Sequence, residues 1–178
     1  KIIGSKFQTK LIISFLILSW VRIADVISIP YLSSISKKYL FSRVTGSLVV
    51  VSTSLSVLFL LAIYYGSDYW TKLALGYDSV QRKIIIDGML ALMPYILLII
   101  PFHVLKASYR SRMKSFKVNV ADLILMLTTI IVITLFYTNT SVLYYALSLG
   151  MLLAFIYIFY NAYKENMVNF DIDLSLLA

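Results

Sequence analysis

The residues best placed to do chemistry in this sequence are Arg22 and Asp25, which interrupt the otherwise uncharged stretch 11–30. Residues three apart share one face of a helix, so these two charges can pair. A charge inside a long apolar helix is expensive unless it is paired or hydrated, which makes it a candidate for function. Two interpretations stay open. One is a structural ion pair, with Arg22 snorkelling towards the helix end, and the other is a hydrated cavity in which Arg22 attracts an anion.

Catalytic chemistry has little support in the sequence. The chain has no Cys and one His, His103, and the residue one helical turn after it is Ala107 rather than an acid. Paired carboxylates, a Gly-rich phosphate loop and a Ser-His-Asp set are also missing from the sequence. We therefore expect a protein that is not an enzyme and that uses no cofactor and no metal, with His103 as an interfacial hydrogen-bonding residue.

The elements that must position these residues are long and apolar. Hydrophobic residues make up 61% of the 178 residues and charged residues 13%, against about half and a quarter in soluble domains. A helix of about 20 apolar residues crosses a bilayer. The composition predicts an all-α, polytopic membrane protein with about five transmembrane helices in a single domain, 1–178. The predicted spans cover about 11–30, 45–65, 85–105, 119–137 and 142–163.

Two of these spans contain residues that shape a helix. Pro94 and Pro101 predict a kink in the third span, since each proline removes a backbone donor. Asp122 opens the fourth span, where a carboxylate complements the positive end of the helix dipole. We expect Asp122 to be structural.

The basic residues are distributed unevenly along the chain, which has a net charge of +8. With five spans in series, nine cations fall on one side: Lys37, Lys38, Arg43, Lys106, Arg110, Arg112, Lys114, Lys117 and Lys164. The positive-inside rule makes this side cytoplasmic. The same count places the N-terminus outside, as we expect of a segment of a longer protein.

The basic loops have two interpretations. They are topogenic signals attracted to anionic lipid headgroups, or they form a phosphate-binding cluster at the cytoplasmic mouth of a cavity. In the second case Arg110 and Arg112 could make bidentate phosphate contacts. We expect no nucleic-acid partner, because the cations lie in short loops tied to the membrane.

Several stretches of the sequence carry a family resemblance. Pro30-Tyr31-Leu32-Ser33 resembles the P-x-L-S element of the multidrug/oligosaccharidyl-lipid/polysaccharide flippase superfamily, and residues 73–77 and 104–112 resemble later segments of that family. Their order and spacing hold over roughly residues 10–163. The family's usual Gly-Asp-x-Lys-Thr-Pro-like turn is replaced here by Met-Lys-Ser-Phe-Lys at 113–117.

The resemblance implies a fold, a function and partners. The chain would form most of the C-terminal lobe of a two-lobe helical transporter in the bacterial cytoplasmic (inner) membrane. The implied function is the flipping of a polyprenyl-diphosphate-linked oligosaccharide, such as an O-antigen or capsular repeat unit, by alternating access. Partners would be this lipid-linked oligosaccharide, membrane lipids and the missing N-terminal lobe. Arg22 resembles a basic substrate-binding residue of these flippases, with Asp25 orienting it, and Lys10 is the nearer match by spacing.

Two other functions stay open. A drug exporter of the same superfamily would favour acids in the cavity, and of these only Asp25 qualifies. A non-transporting membrane scaffold or subunit would pack through small residues, and none of the predicted spans contains a Gly-x-x-x-Gly motif.

Overall fold

A computed structural model describes residues 28–75, 87–88, 90–136 and 142–170. All the regular secondary structure in these ranges is helical, which confirms the predicted all-α class. A short helical segment at 28–34 precedes four longer helices. These are α1, Lys38–Leu75; α2, Met93–Ser111; α3, Ser115–Leu135; and α4, Val142–Lys164.

Three helices in the described part of the chain are long and apolar enough to cross a membrane: the Lys38–Gly66 part of α1, and all of α3 and α4. They contain 29, 21 and 23 residues, and 20 residues of helix already span about 30 Å. Their outward faces are also apolar, as Met126, Ile130 and Leu135 of α3 illustrate. A helix that is apolar all round suits a lipid environment. These properties are those of a helical membrane protein.

Helix α2 lies inside the bundle, packed between α1 on one side and α4 on the other, while α3 packs mainly on α4. Phe102, Leu105 and Tyr109 of α2 are almost completely buried in the core that these contacts form. The core is therefore built around α2, and α4 contributes Met151, Ala154 and Ile158 to it.

Small residues let α4 approach its neighbours closely. Ala146, Gly150, Ala154 and Ala162 recur at multiples of four positions along one buried face. A Cβ atom on Gly150 would lie 2.9 Å from the backbone oxygen of Leu125 in α3, so only glycine fits there. This small-residue face is the packing device common between membrane helices, and searching the sequence for Gly-x-x-x-Gly alone misses it.

The third predicted span, 85–105, was expected to be a helix kinked by Pro94 and Pro101. Residues 87–88 and 90–91 are helical, a turn follows at Leu92, and α2 then runs from Met93 to Ser111 with Pro94 in its first turn. Proline is favoured there because the first helical N–H groups have no partner within the helix. The helix is thus interrupted at Leu92, two residues before Pro94, and Pro101 lies in the interior of α2.

The chain after α4 folds back over the start of α1. We call residues 167–170 the C-terminal strap. Its Asn169 N–H donates to the carbonyl of Ser42 at 2.9 Å, and its Met167 and Val168 are buried. A Cβ atom on Gly46 would overlap the Asn169 carbonyl, so this crossing requires glycine in α1.

Candidate functional site

The ends of the helices that carry the predicted cytoplasmic cations meet at one end of the bundle, which we call the basic end. Arg112, after α2, contacts Ile35, just before α1. Lys114, before α3, forms an ion pair with Glu165, after α4, at 2.6 Å. The nine cations predicted to share one side of the membrane are all described, and they lie on the segments that these contacts join.

The turn between α2 and α3 shapes the centre of the basic end. The N–H of Lys114 donates to the Tyr109 carbonyl at 2.9 Å, and that of Met113 to the Arg110 carbonyl at 3.0 Å. This pair of bonds is a Schellman motif, and its Met113 has a φ of 56°. The motif reverses the chain within three residues, so Arg110 and Arg112 lie beside the first residues of α3.

Arg112 connects two segments of the basic end. Its Nη2 donates to the Ile35 carbonyl at 3.1 Å, and its guanidinium carbon lies 4.1 Å from the centroid of the buried Phe41 ring. Stacking on the ring and donating to the carbonyl fix the plane of the guanidinium. Arg110 is half-buried two residues earlier in the chain. The structure thus brings together these two sequence-predicted site residues.

A buried ion pair lies deeper in the bundle. The Lys106 ammonium donates to both carboxylate oxygens of Asp122, at 2.6 and 2.9 Å, and lies 5.2 Å from the centroid of the Phe102 ring. The side chain of Lys106 is 7% exposed and that of Asp122 is 38% exposed. Helix α3 begins at Ser115, so Asp122 is two turns inside it. The expectation that Asp122 complements the helix dipole is therefore wrong, and its role is to neutralise Lys106.

Two other polar groups of α2 lie close to this pair. His103 is half-buried, with its ring edge-on to Phe102 at 5.9 Å between centroids. The Tyr109 hydroxyl is fully buried and has no hydrogen-bond partner among the described residues. Burial, and secondarily the negative charge of Glu165, raises the pKa of the Tyr109 phenol above its usual range. Tyr109 is therefore an uncharged, buried residue next to the basic end.

The remaining sequence-predicted site residues, Lys10, Arg22 and Asp25, lie outside the described residues. Among the described residues, no group of three or more His, Asp or Glu side chains is placed to hold a metal ion. The chemistry available in the described part of the chain is therefore that of cations, hydroxyls and amides at the basic end.

The sequence did not reveal two features of the basic end. One is the Lys106–Asp122 pair, whose partners are sixteen residues apart and meet only when α2 and α3 dock. The other is the C-terminal strap, the segment after α4, whose Asn169 N–H donates to the carbonyl of Ser42 in α1. Asn166 was the available signal for the strap, because Asn is a residue that tolerates the left-handed conformation that ends a helix, and here it has a φ of 52°.

Fold and site together define an all-helical membrane protein with one strongly basic end. No protein-family model, curated protein or solved structure matches the chain. The function is therefore argued from the residues themselves.

Proposed function

We propose that this chain is most of the C-terminal lobe of a flippase that moves polyprenyl-diphosphate-linked oligosaccharide across the bacterial cytoplasmic membrane. In this proposal all five predicted spans cross the membrane, and the lobe rocks against an N-terminal lobe to alternate access. The observation that carries the proposal is the contact between two stretches that resemble the family. Arg112, at the end of the 104–112 stretch, donates to Ile35, two residues after the element Pro30-Tyr31-Leu32-Ser33.

A second observation supports the same proposal. Met113 has a φ of 56°, a conformation that glycine adopts most readily. The flippase family has glycine at this point of its turn. A turn that requires a left-handed residue therefore occurs where the resemblance places one, although the side chain here is Met.

The proposed roles of the cations follow from their positions. A lipid-linked diphosphate is a strong anion, and arginine binds phosphate oxygens through two parallel N–H groups. We assign Arg110 and Arg112 to the cytoplasmic mouth, where Arg112 retains N–H donors beyond the one that Ile35 accepts. We assign Arg22, oriented by Asp25, and Lys10 to the diphosphate inside the cavity.

The test is a flipping assay on the gene product that contains this segment, reconstituted in liposomes with polyprenyl-diphosphate-linked oligosaccharide. A membrane-impermeant glycosidase outside the vesicles measures the fraction of glycan that reaches the outer leaflet. We expect time-dependent cleavage, and a loss of rate of about tenfold for Arg22→Gln or Lys10→Gln, as for one charge-assisted hydrogen bond. Lys37→Gln is the matched control, because it removes an exposed cation outside the proposed cavity, and its rate should stay within about twofold of the unsubstituted protein.

Three results would contradict the proposal. Equal effects of Arg22→Gln and Lys37→Gln would show that the cations act only as topogenic signals. Transport of a cationic dye in place of the glycan lipid would indicate a drug exporter. Transport of neither the dye nor the glycan lipid would favour a non-transporting membrane scaffold.

A further inference from the structure

An open groove of about 750 Å³ lies at the basic end, between the start of α1 and the end of α4. The C-terminal strap forms one side of it, through Val168 and Asn169. The groove lies at the ends of two helices that are long and apolar enough to cross a membrane. This position corresponds to the level of lipid headgroups when those helices span the bilayer.

The groove carries positive charge that the described protein does not neutralise. Lys38 and Lys164 both line it, and neither makes an ion pair or a side-chain hydrogen bond with any described residue. No described carboxylate lines the groove. The nearest in sequence, Glu165, is paired with Lys114 at 2.6 Å. A bound anion would therefore neutralise the positive charge of these two lysines.

The other groups around the groove supply hydrogen bonding and an apolar edge. Tyr39 and Tyr163 line the groove and are 61% and 64% exposed, and tyrosine is a residue enriched at membrane interfaces. Asn166 adds an amide, whereas the Ser42 hydroxyl already donates to the Tyr39 carbonyl at 2.9 Å. The strap fixes this wall, because the Asn169 N–H donates to the Ser42 carbonyl at 2.9 Å.

We propose that this groove binds a phosphate group, held by the Lys38 and Lys164 ammonium groups with the hydroxyls and amide around them. Two ammonium groups that line one groove match the several oxygens of one phosphate. Basic pockets between membrane helices on the cytoplasmic side bind anionic lipid headgroups in the same way. The phosphate belongs either to an anionic phospholipid or to a soluble phosphate. The site does not depend on transport, and its lining residues are not those assigned above to the cavity.

The experiment compares neighbouring lysines in the full chain, purified in nanodiscs of zwitterionic phosphatidylcholine. One arm titrates phosphatidylglycerol into the nanodiscs and the other titrates inorganic phosphate, with binding followed by native mass spectrometry and by thermal stabilisation. A hydrogen bond from an ammonium group to a phosphate oxygen held in a defined site contributes about fivefold or more in affinity. We expect Lys38→Gln and Lys164→Gln each to weaken binding about fivefold or more, whereas Lys37→Gln, which does not line the groove, weakens it less than about twofold.

The outcomes separate a defined site from general attraction. Loss of binding with Lys38→Gln but not with Lys37→Gln supports the site. The titration in which this loss occurs shows whether the bound phosphate belongs to a lipid or to a soluble molecule. Equal loss with both variants would overturn the proposal, because a diffuse positive surface treats neighbouring cations alike. Binding of neither probe to the unsubstituted chain would also overturn it. All three lysines are exposed in the structure, so the variants should fold normally, and unchanged circular dichroism checks this.

Discussion

Lys106 shows how a single residue can hold its charge inside this bundle. Its side chain is 7% exposed, and both oxygens of Asp122 accept hydrogen bonds from it. The Phe102 ring, 5.2 Å from the ammonium, adds a cation–π contact. Asp122 is 38% exposed and can also be hydrated. Lys106 therefore depends on Asp122 to compensate its charge more than Asp122 depends on Lys106.

This asymmetry predicts unequal costs for breaking the pair. Asp122→Asn leaves a buried ammonium without a counter-charge and should destabilise the protein by about 3 kcal/mol. Lys106→Met leaves a carboxylate that water can reach and keeps the apolar volume, so it should cost about 1 kcal/mol. The measurement is reversible unfolding of the protein in mild detergent, followed by circular dichroism.

The double variant completes this test. Lys106→Met with Asp122→Asn removes both charges, and it should be more stable than Asp122→Asn alone, because the buried charge is gone. Equal costs for the two single variants, or a double variant that is the least stable of the three, would show that the two side chains do not depend on each other as the geometry indicates.

The helices that end at the basic end, α2 and α4, use the same terminating element. In α4 the Met167 N–H donates to the Ala162 carbonyl at 2.8 Å and the Asn166 N–H to that of Tyr163 at 3.0 Å. This repeats the pattern after α2, with Asn166 in the left-handed position that Met113 occupies there. Asn tolerates this conformation, whereas Met does so at a cost of about 1 kcal/mol.

Met113→Gly should therefore stabilise the protein by about 1 kcal/mol. The side chain of Met113 is 94% exposed, so its removal sacrifices little packing. The matched controls are Met113→Ala, which keeps a Cβ atom and should leave stability unchanged, and Asn166→Gly, which should gain less than Met113→Gly. The same unfolding measurement checks all three. A gain from Met113→Ala equal to that from Met113→Gly would mean that backbone conformation is not the cause.

The elements of this fold were more predictable than their ends and their contacts. The uncharged stretches 44–67 and 123–163, the second long enough for two crossings, lead to the spans at 45–65, 119–137 and 142–163, and each of these overlaps a long apolar helix. The start of α1 at Lys38 was missed because lysine is as compatible with a helix as most residues, so charge marks the edge of the apolar segment and not the end of the helix. The pattern of apolar residues along one helix also does not show which other helix it will contact.

Pro94 illustrates the limit of reading one residue from sequence. Proline bends a helix when it lies in the interior and favours a helix when it lies in the first turn. Here both descriptions apply, because residues 90–91 are helical, the helix is interrupted at Leu92, and Pro94 lies in the first turn of α2, which starts at Met93. The hydroxyl of Ser148 in α4 donates to the Ala91 carbonyl at 2.6 Å, just before this start. That long-range contact contributes to placing the beginning of α2.

The part of the molecule that the structure describes is electrically asymmetric. Nine cations and two carboxylates, Asp122 and Glu165, lie on the described segments of the basic end. The other end of α3 closes with Leu135 and Phe136, which are apolar and exposed. Charge separated along a bundle of apolar helices orients it in a membrane, because cationic segments are retained on the cytoplasmic side. The orientation predicted from charge can therefore be tested at the two ends of one helix.

Single cysteines provide this test, because the chain has no native Cys. Ser115 and Phe136 lie at opposite ends of α3, are exposed, and are separated by about 30 Å of helix. In intact cells a membrane-impermeant maleimide should label Phe136→Cys from outside and should label Ser115→Cys only after the membrane is permeabilised. Each variant is the control for the other, since helix and reagent are shared. The reverse pattern would mean that the basic end faces outward, and labelling of both from one side would mean that α3 lies along the membrane surface and does not cross it.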